Sequence, residues 1–80
     1  MTNTELLLKI INEKGVKKSK LVEALNTSYN WLNKKIYNEI PFKAWEISKL
    51  CEVLAITDLR LKDSIFFYTD VDKMSTKKEY

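Results

Sequence analysis

The segment SYNWLNKKIYN, residues 28–38, mixes side chains that give and take hydrogen bonds with an apolar seam. At helical spacing Leu32 and Ile36 share one side, while Tyr29, Asn30, Asn33 and Lys34 fall on the other. An asparagine amide accepts and donates at once, which matches N6 and N7 of adenine. A lysine donates to O6 and N7 of guanine. A tyrosine lays its ring on a thymine methyl or gives its hydroxyl to a phosphate. Tyr29, Asn30, Asn33 and Lys34 are therefore the candidate base-reading residues of a helix shaped for the DNA major groove. The plain alternative is a solvated surface helix.

A second group stands upstream. Lys17, Lys18, Ser19 and Lys20 lie just before or within the first turn of the preceding apolar-periodic run. Cations at a helix N-terminus oppose the helix dipole, and they make better physical sense where a phosphate sits on that end. The charge along the chain agrees. Seven lysines between Lys14 and Lys43 face only Glu23 and Glu39, a local charge of +5. The chain as a whole is +3, so the rest carries −2. Focused positive charge suits a polyanion partner, although lysine-rich faces are also ordinary solvating surfaces.

Other chemistries find little support. The chain has no histidine, and its one cysteine makes neither a disulfide nor a zinc site. Cys51 lies in the apolar run LCEVL and reads as core. There is no glycine-rich phosphate loop, and Glu46, Lys49 and Glu52 have the spacing of a solvated helix face. The expectation is no catalytic residue, no cofactor and no metal. No apolar run nears the roughly 18 residues of a membrane span and no signal peptide precedes the first helix, so a soluble, cytoplasmic protein is expected.

Eighty residues make one domain with a thin core. One Gly and one Pro argue against a β-rich fold, and 45% apolar residues argue against disorder throughout. Thr4 can cap a first helix with a stripe of Leu6, Leu7, Ile10 and Ile11, stopped at Gly15. Ser19 can cap a second, short helix through Leu21, Val22 and Leu25, ended by Asn26. Ser28 caps a third, Tyr29 to Tyr37, ended by Asn38. Pro41 and Phe42 lead into a fourth, Trp45 to Leu54, with Ile47, Leu50, Cys51 and Leu54 at i, i+3, i+4, i+7. Thr57 or Asp58 caps a short fifth helix. The stretch SIFFYTDV reads as helix end, extended arm or strand, and residues 72–80 as a polar, frayed tail. The fold class expected is all-α, a bundle of five short helices over residues 1–71. In it the second and third helices, joined by Asn26-Thr27-Ser28, form a helix-turn-helix.

The chain resembles the Cro/CI-like (XRE) helix-turn-helix regulators of phages and prophages over roughly residues 4–74. The carriers are SKLVEALNTSYNWLNKKIYNEIPFKAWEISKLCEVLAI and SIFFYTDVDKMST. The resemblance implies a lambda-repressor-like five-helix domain in a bacterial cytoplasm. It would repress transcription as a homodimer on a two-fold double-stranded operator. By position it implies that Tyr29, Asn30, Asn33 and Lys34 face the bases. It places Lys18, Ser19, Lys20, Ser28, Lys35 and the loop from Asn38 to Lys43 along the DNA backbone. There are departures. Val22 stands where the superfamily has a small residue, Asn26 where it has Gly, Thr27 where an apolar residue follows the turn, and Lys35 at a position often apolar.

Two features remain. Trp31 and Trp45 can stack on sugar or base, but Trp is seldom spent on exposed surface, so core or half-buried packing is the expectation. Ile65, Phe66, Phe67 and Tyr68 exceed what a thin core can bury and read as part core, part dimer contact. A sequence-specific regulator is the leading function. A protein-interaction module on the same fold, an anti-repressor or a partner of the host polymerase, is the alternative from another class.

Overall fold

The computed structural model describes residues 1–68, and the apolar spacing closes there into five α-helices with no strand among the described residues. They are α1 (Thr4–Lys14), α2 (Lys18–Leu25), α3 (Tyr29–Ile36), α4 (Ala44–Val53) and α5 (Leu59–Phe66). The protein is an all-α bundle around one core. Leu7, Ile10 and Ile11 enter from α1, Leu21 and Leu25 from α2, and Leu32 and Ile36 from α3. Ile47, Leu50 and Leu54 come from α4 and its cap, Ile56 from the following turn, and Ile65 and Phe66 from α5. Helix α2 packs on both α4 and α3, and α1 packs on α5. The expected boundary between domain and tail, at residues 71 and 72, lies outside the described residues.

The four connections that set these helices apart share one device. Gly15, Asn26, Asn38 and Ala55 all take the left-handed conformation, with φ of 67°, 52°, 66° and 55°. At each, the next residue's N–H reaches back to the carbonyl five residues earlier: Val16 to Ile11, Thr27 to Val22, Glu39 to Lys34, Ile56 to Cys51. This is the Schellman closure, which satisfies carbonyls that a helix end would leave bare. Gly15 adopts it freely, and Asn tolerates it. Ala55 has no such excuse. Its conformation follows from Ile56, which the closure swings into the core, where it is 8% exposed.

Helix starts differ from the expected caps in two places. Asn3, not Thr4, caps α1, its side chain accepting from the Leu6 N–H at 3.2 Å. Thr4 instead gives its hydroxyl to the Ile36 carbonyl at 2.6 Å, tying α1 to the end of α3. Lys17, not Ser19, is the N-cap of α2, and no side chain caps that end. Asp58 caps α5 as one of the two expected residues, accepting from Arg60 N–H.

The chain through Ser64, Ile65 and Phe66 is the last turn of α5, which decides the helix-end reading for these residues. Residues 69–71 of the same stretch lie outside the described part. Ile65 is fully buried and Phe66 nearly so, with Phe66 edge-on to Phe42 at 5.7 Å between ring centroids. These two are core and unavailable as dimer contacts, because α1 and the loop before α4 already cover them. Phe67 is exposed and Tyr68 half-buried.

A glycine at position 55 removes the left-handed penalty without touching a contact that the alanine methyl alone provides. Ala55→Gly should raise stability by roughly 0.5–1 kcal/mol, read as a higher urea midpoint at unchanged slope. A lower midpoint would show that the turn is not strained.

Candidate nucleic-acid interface

Helix α3 is anchored by three side chains and displays the others. Leu32 and Ile36 are buried, as their spacing requires. The third anchor is Lys35, 3% exposed, whose ammonium donates to Glu46 Oε2 in α4. The expectation of a DNA-backbone contact at Lys35 is overturned: its charge is spent inside the protein. Glu46 Oε1 accepts the Lys43 backbone N–H at 2.7 Å, which is the carboxylate half of a capping box at the start of α4. Lysine 43 has no acceptor to return, so the other half is missing. One buried carboxylate thus stops the N-terminus of α4 from fraying and fixes α3 against it.

With that side held, the opposite face of α3 points outward. Tyr29 and Asn30 are exposed, and Asn33 and Lys34 are half-exposed. Ser28 caps the helix, its hydroxyl oxygen accepting the Trp31 N–H at 3.1 Å. The four expected reading residues are therefore all accessible, with Asn30, Asn33 and Lys34 opposite the buried side at helical spacing and Tyr29 at its edge. Asn33 is not idle there: Lys18 Nζ donates to its Oδ1 at 3.0 Å. One lone pair of that oxygen and both amide hydrogens remain, and the Lys18 ammonium keeps two further donors.

The basic group gathers beside this face. Lys17, Ser19 and Lys20 are exposed at the start of α2, where no carboxylate occupies the first turn. The N–H groups of Lys20 and Leu21 bond back to the Lys17 carbonyl, so those of Lys18 and Ser19 open the helix without a backbone partner. Two ion pairs form among the described residues, Lys35–Glu46 and the exposed Lys49–Glu52. Lys17, Lys18, Lys20, Lys34 and Lys43 take part in neither.

Asn38 also has a partner within the protein. Its amide is clamped to the backbone of Thr2, accepting the Thr2 N–H at 2.8 Å and donating to the Thr2 carbonyl at 2.9 Å. It holds the chain's start against the end of α3 while remaining exposed. Ser28 and Lys43 stay exposed.

The two tryptophans are a second correction. Trp31 is 44% and Trp45 52% exposed, because positions 32, 35 and 36 of α3 and 46, 47 and 50 of α4 already fill the inward faces. Tyr37, 53% exposed, joins the same outward side as Asn30, Asn33 and Lys34. Lys34 Nζ lies 5.6 Å from the centroid of the Trp31 ring. The three-residue spacing of Trp31 and Lys34 was the available signal for that contact. Cys51, half-buried, has its thiol pushed up by burial against the opposing pull of Lys62, so it stays protonated at neutral pH. Among the described residues no helix is long and apolar enough to cross a membrane, and no three His, Cys, Asp or Glu side chains cluster as a metal site would need.

Set beside protein-family models, curated proteins and solved structures, the chain matches none of them.

The buried ion pair makes a sharp test. Lys35→Met leaves a carboxylate buried with a single backbone donor and should cost about 3 kcal/mol. Lys35→Met with Glu46→Leu removes both charges and should recover most of that loss. Urea midpoints of the two variants measure it; losses that simply add would mean that the two charges are not coupled.

Proposed function

We propose that this protein is a sequence-specific double-stranded DNA-binding transcriptional regulator that reads the major groove with α3. The observation that carries the reading is the division of that helix. Leu32, Lys35 and Ile36 are consumed inward, and an amide-and-ammonium face is left outward, flanked by the uncapped, lysine-rich start of α2. A helix fits the major groove with its N-terminal half on the base edges. In this reading Tyr29, Asn30, Asn33 and Lys34 meet bases. Lys17, Lys18, Ser19, Lys20 and Lys43 hold phosphates, helped by the Ser28 hydroxyl proton. The free N–H groups at α2 add to the phosphate site. The resemblance to phage Cro/CI-like regulators supports the same role, including action in the cytoplasm.

One module of this size buries little DNA, so useful specificity calls for two copies on half-sites about one helical turn apart. Of the apolar strip first considered for that contact, Phe67 and Tyr68 remain accessible. The same feature favours the second reading, a module that docks on another protein. Phe67 and Met1, each more than half exposed, border an apolar concavity lined also by Pro41, Phe42 and Ile47.

Selection from a random duplex pool tests the leading reading. A palindromic motif is expected. With about four phosphates neutralised, now that Lys35 is excluded, affinity should fall roughly 100-fold between 50 and 200 mM salt. Asn30→Asp with Lys34→Glu should abolish retention on the selected duplex at unchanged thermal stability. No enriched motif and no duplex shift at low salt would overturn the proposal in favour of a protein partner.

A further inference from the structure

Lysine is a poor reader by itself. Its ammonium is a compact charge on a stem with about 2 kcal/mol of rotamer entropy, and near DNA such a charge goes to the nearest phosphate as readily as to a base. Lys34 is different from the other lysines of this surface. Among the described residues it alone is held over an aromatic face, the Trp31 ring at 5.6 Å.

Trp31 in turn is poorly explained as packing. It is 44% exposed, and the inward side of α3 is complete without it. Its backbone is nonetheless held. Its backbone N–H is the one that Ser28 caps. The cap fixes the backbone from which the indole projects, on the first turn and one turn before Lys34, whose Nζ lies 5.6 Å from the ring centroid. An ammonium over a ring face keeps donors pointing away from the ring, free for another acceptor.

We infer that Trp31 is a positioning residue for Lys34. It converts a mobile charge into a directed donor beside Asn30, and so sets the base preference at the pair that Lys34 meets. This rests on the groove-reading role of α3 and adds to it a residue that touches no base through this function. Pre-ordering the lysine in the free protein lowers what binding must spend on ordering it. A directed donor discriminates guanine O6 and N7 from the other bases, where a free-swinging one would settle on the backbone. Salt dependence separates the two behaviours: a lysine released to a phosphate adds to the counterion slope without adding preference.

The test uses the full chain and the duplex that it enriches from the random pool, with that duplex altered at each guanine in turn. Trp31→Leu keeps an apolar side chain and removes the ring face. It should weaken binding about threefold, the size of one exposed cation–π contact, and flatten the preference at one guanine position. Trp31→Phe should recover most of that preference. In a Lys34→Met background, Trp31→Leu should change neither affinity nor preference. Wild-type affinity and preference in Trp31→Leu, or an equal loss in both backgrounds, would overturn the inference. A wild-type chain that enriches no duplex would instead sink the groove-reading role, and this inference with it.

Discussion

The rest of the structure depends on the buried contact between Lys35 of α3 and Glu46 of α4. A lysine and a glutamate both near full burial are costly to desolvate, and they persist only because each satisfies the other. The glutamate does more than neutralise. Its second oxygen takes the Lys43 N–H, so the same carboxylate that holds α3 also starts α4. An apolar pair could fill that volume but would accept many rotations of α3 about its axis. A charge pair accepts few, because a rotation that parts the ions strands both. Hydrophobic burial of Leu32 and Ile36 draws α3 onto the bundle, and the ion pair chooses which of its faces remains outside.

A second constraint is the repeated left-handed closure at Gly15, Asn26, Asn38 and Ala55. It turns the chain sharply at each helix end, and between α1 and α2 and between α2 and α3 the whole connection is three residues. At Asn38 the residue serves twice. Its backbone ends α3, and its side-chain amide grips the backbone of Thr2. Together with the Thr4 hydroxyl on Ile36 and the Asn3 N–H on the Ile65 carbonyl, this binds the first residues to the ends of α3 and α5. Polar groups at the C-terminal end of α3 are thus engaged within the protein, and those along its outward side stay accessible. The proposed reading face is what remains after this accounting.

The electrostatics follow the same partition. Of the lysines between Lys14 and Lys43, Lys35 is neutralised internally, whereas Lys17, Lys18, Lys20, Lys34 and Lys43 are left without a carboxylate within ion-pair distance. In the free protein their mutual repulsion is relieved by solvent, by the Asn33 amide for Lys18 and by the Trp31 ring for Lys34. Both partners are neutral, so each orients a charge without cancelling it. That is the arrangement a polyanion site requires, and it differs from an ordinary solvated helix face, where acidic neighbours alternate with basic ones.

Much of this was legible in the order of residues alone. Apolar spacing at three and four specified the five helices and most of their inward positions. Gly15, Asn26 and Asn38 announced their turns, the glycine because it lacks a Cβ and the asparagines because they tolerate the left-handed conformation, and Ser28 and Asp58 announced their caps. The cluster of unpaired lysines was visible as a charge imbalance. What depended on tertiary structure was whatever needed a partner distant in the chain. Lys35 looked like a surface cation until Glu46, eleven residues on, met it inside. Ile65 and Phe66 could not be divided between core and dimer contact until α1 and Phe42 covered them. Trp31 and Trp45 looked like core or half-buried residues until the core filled without them. Ala55 bends only because Ile56 is pulled inward. Local preference acts through a residue's own backbone and can be read there, whereas burial is a competition among all side chains for one small volume, and only the assembled fold shows which of them won.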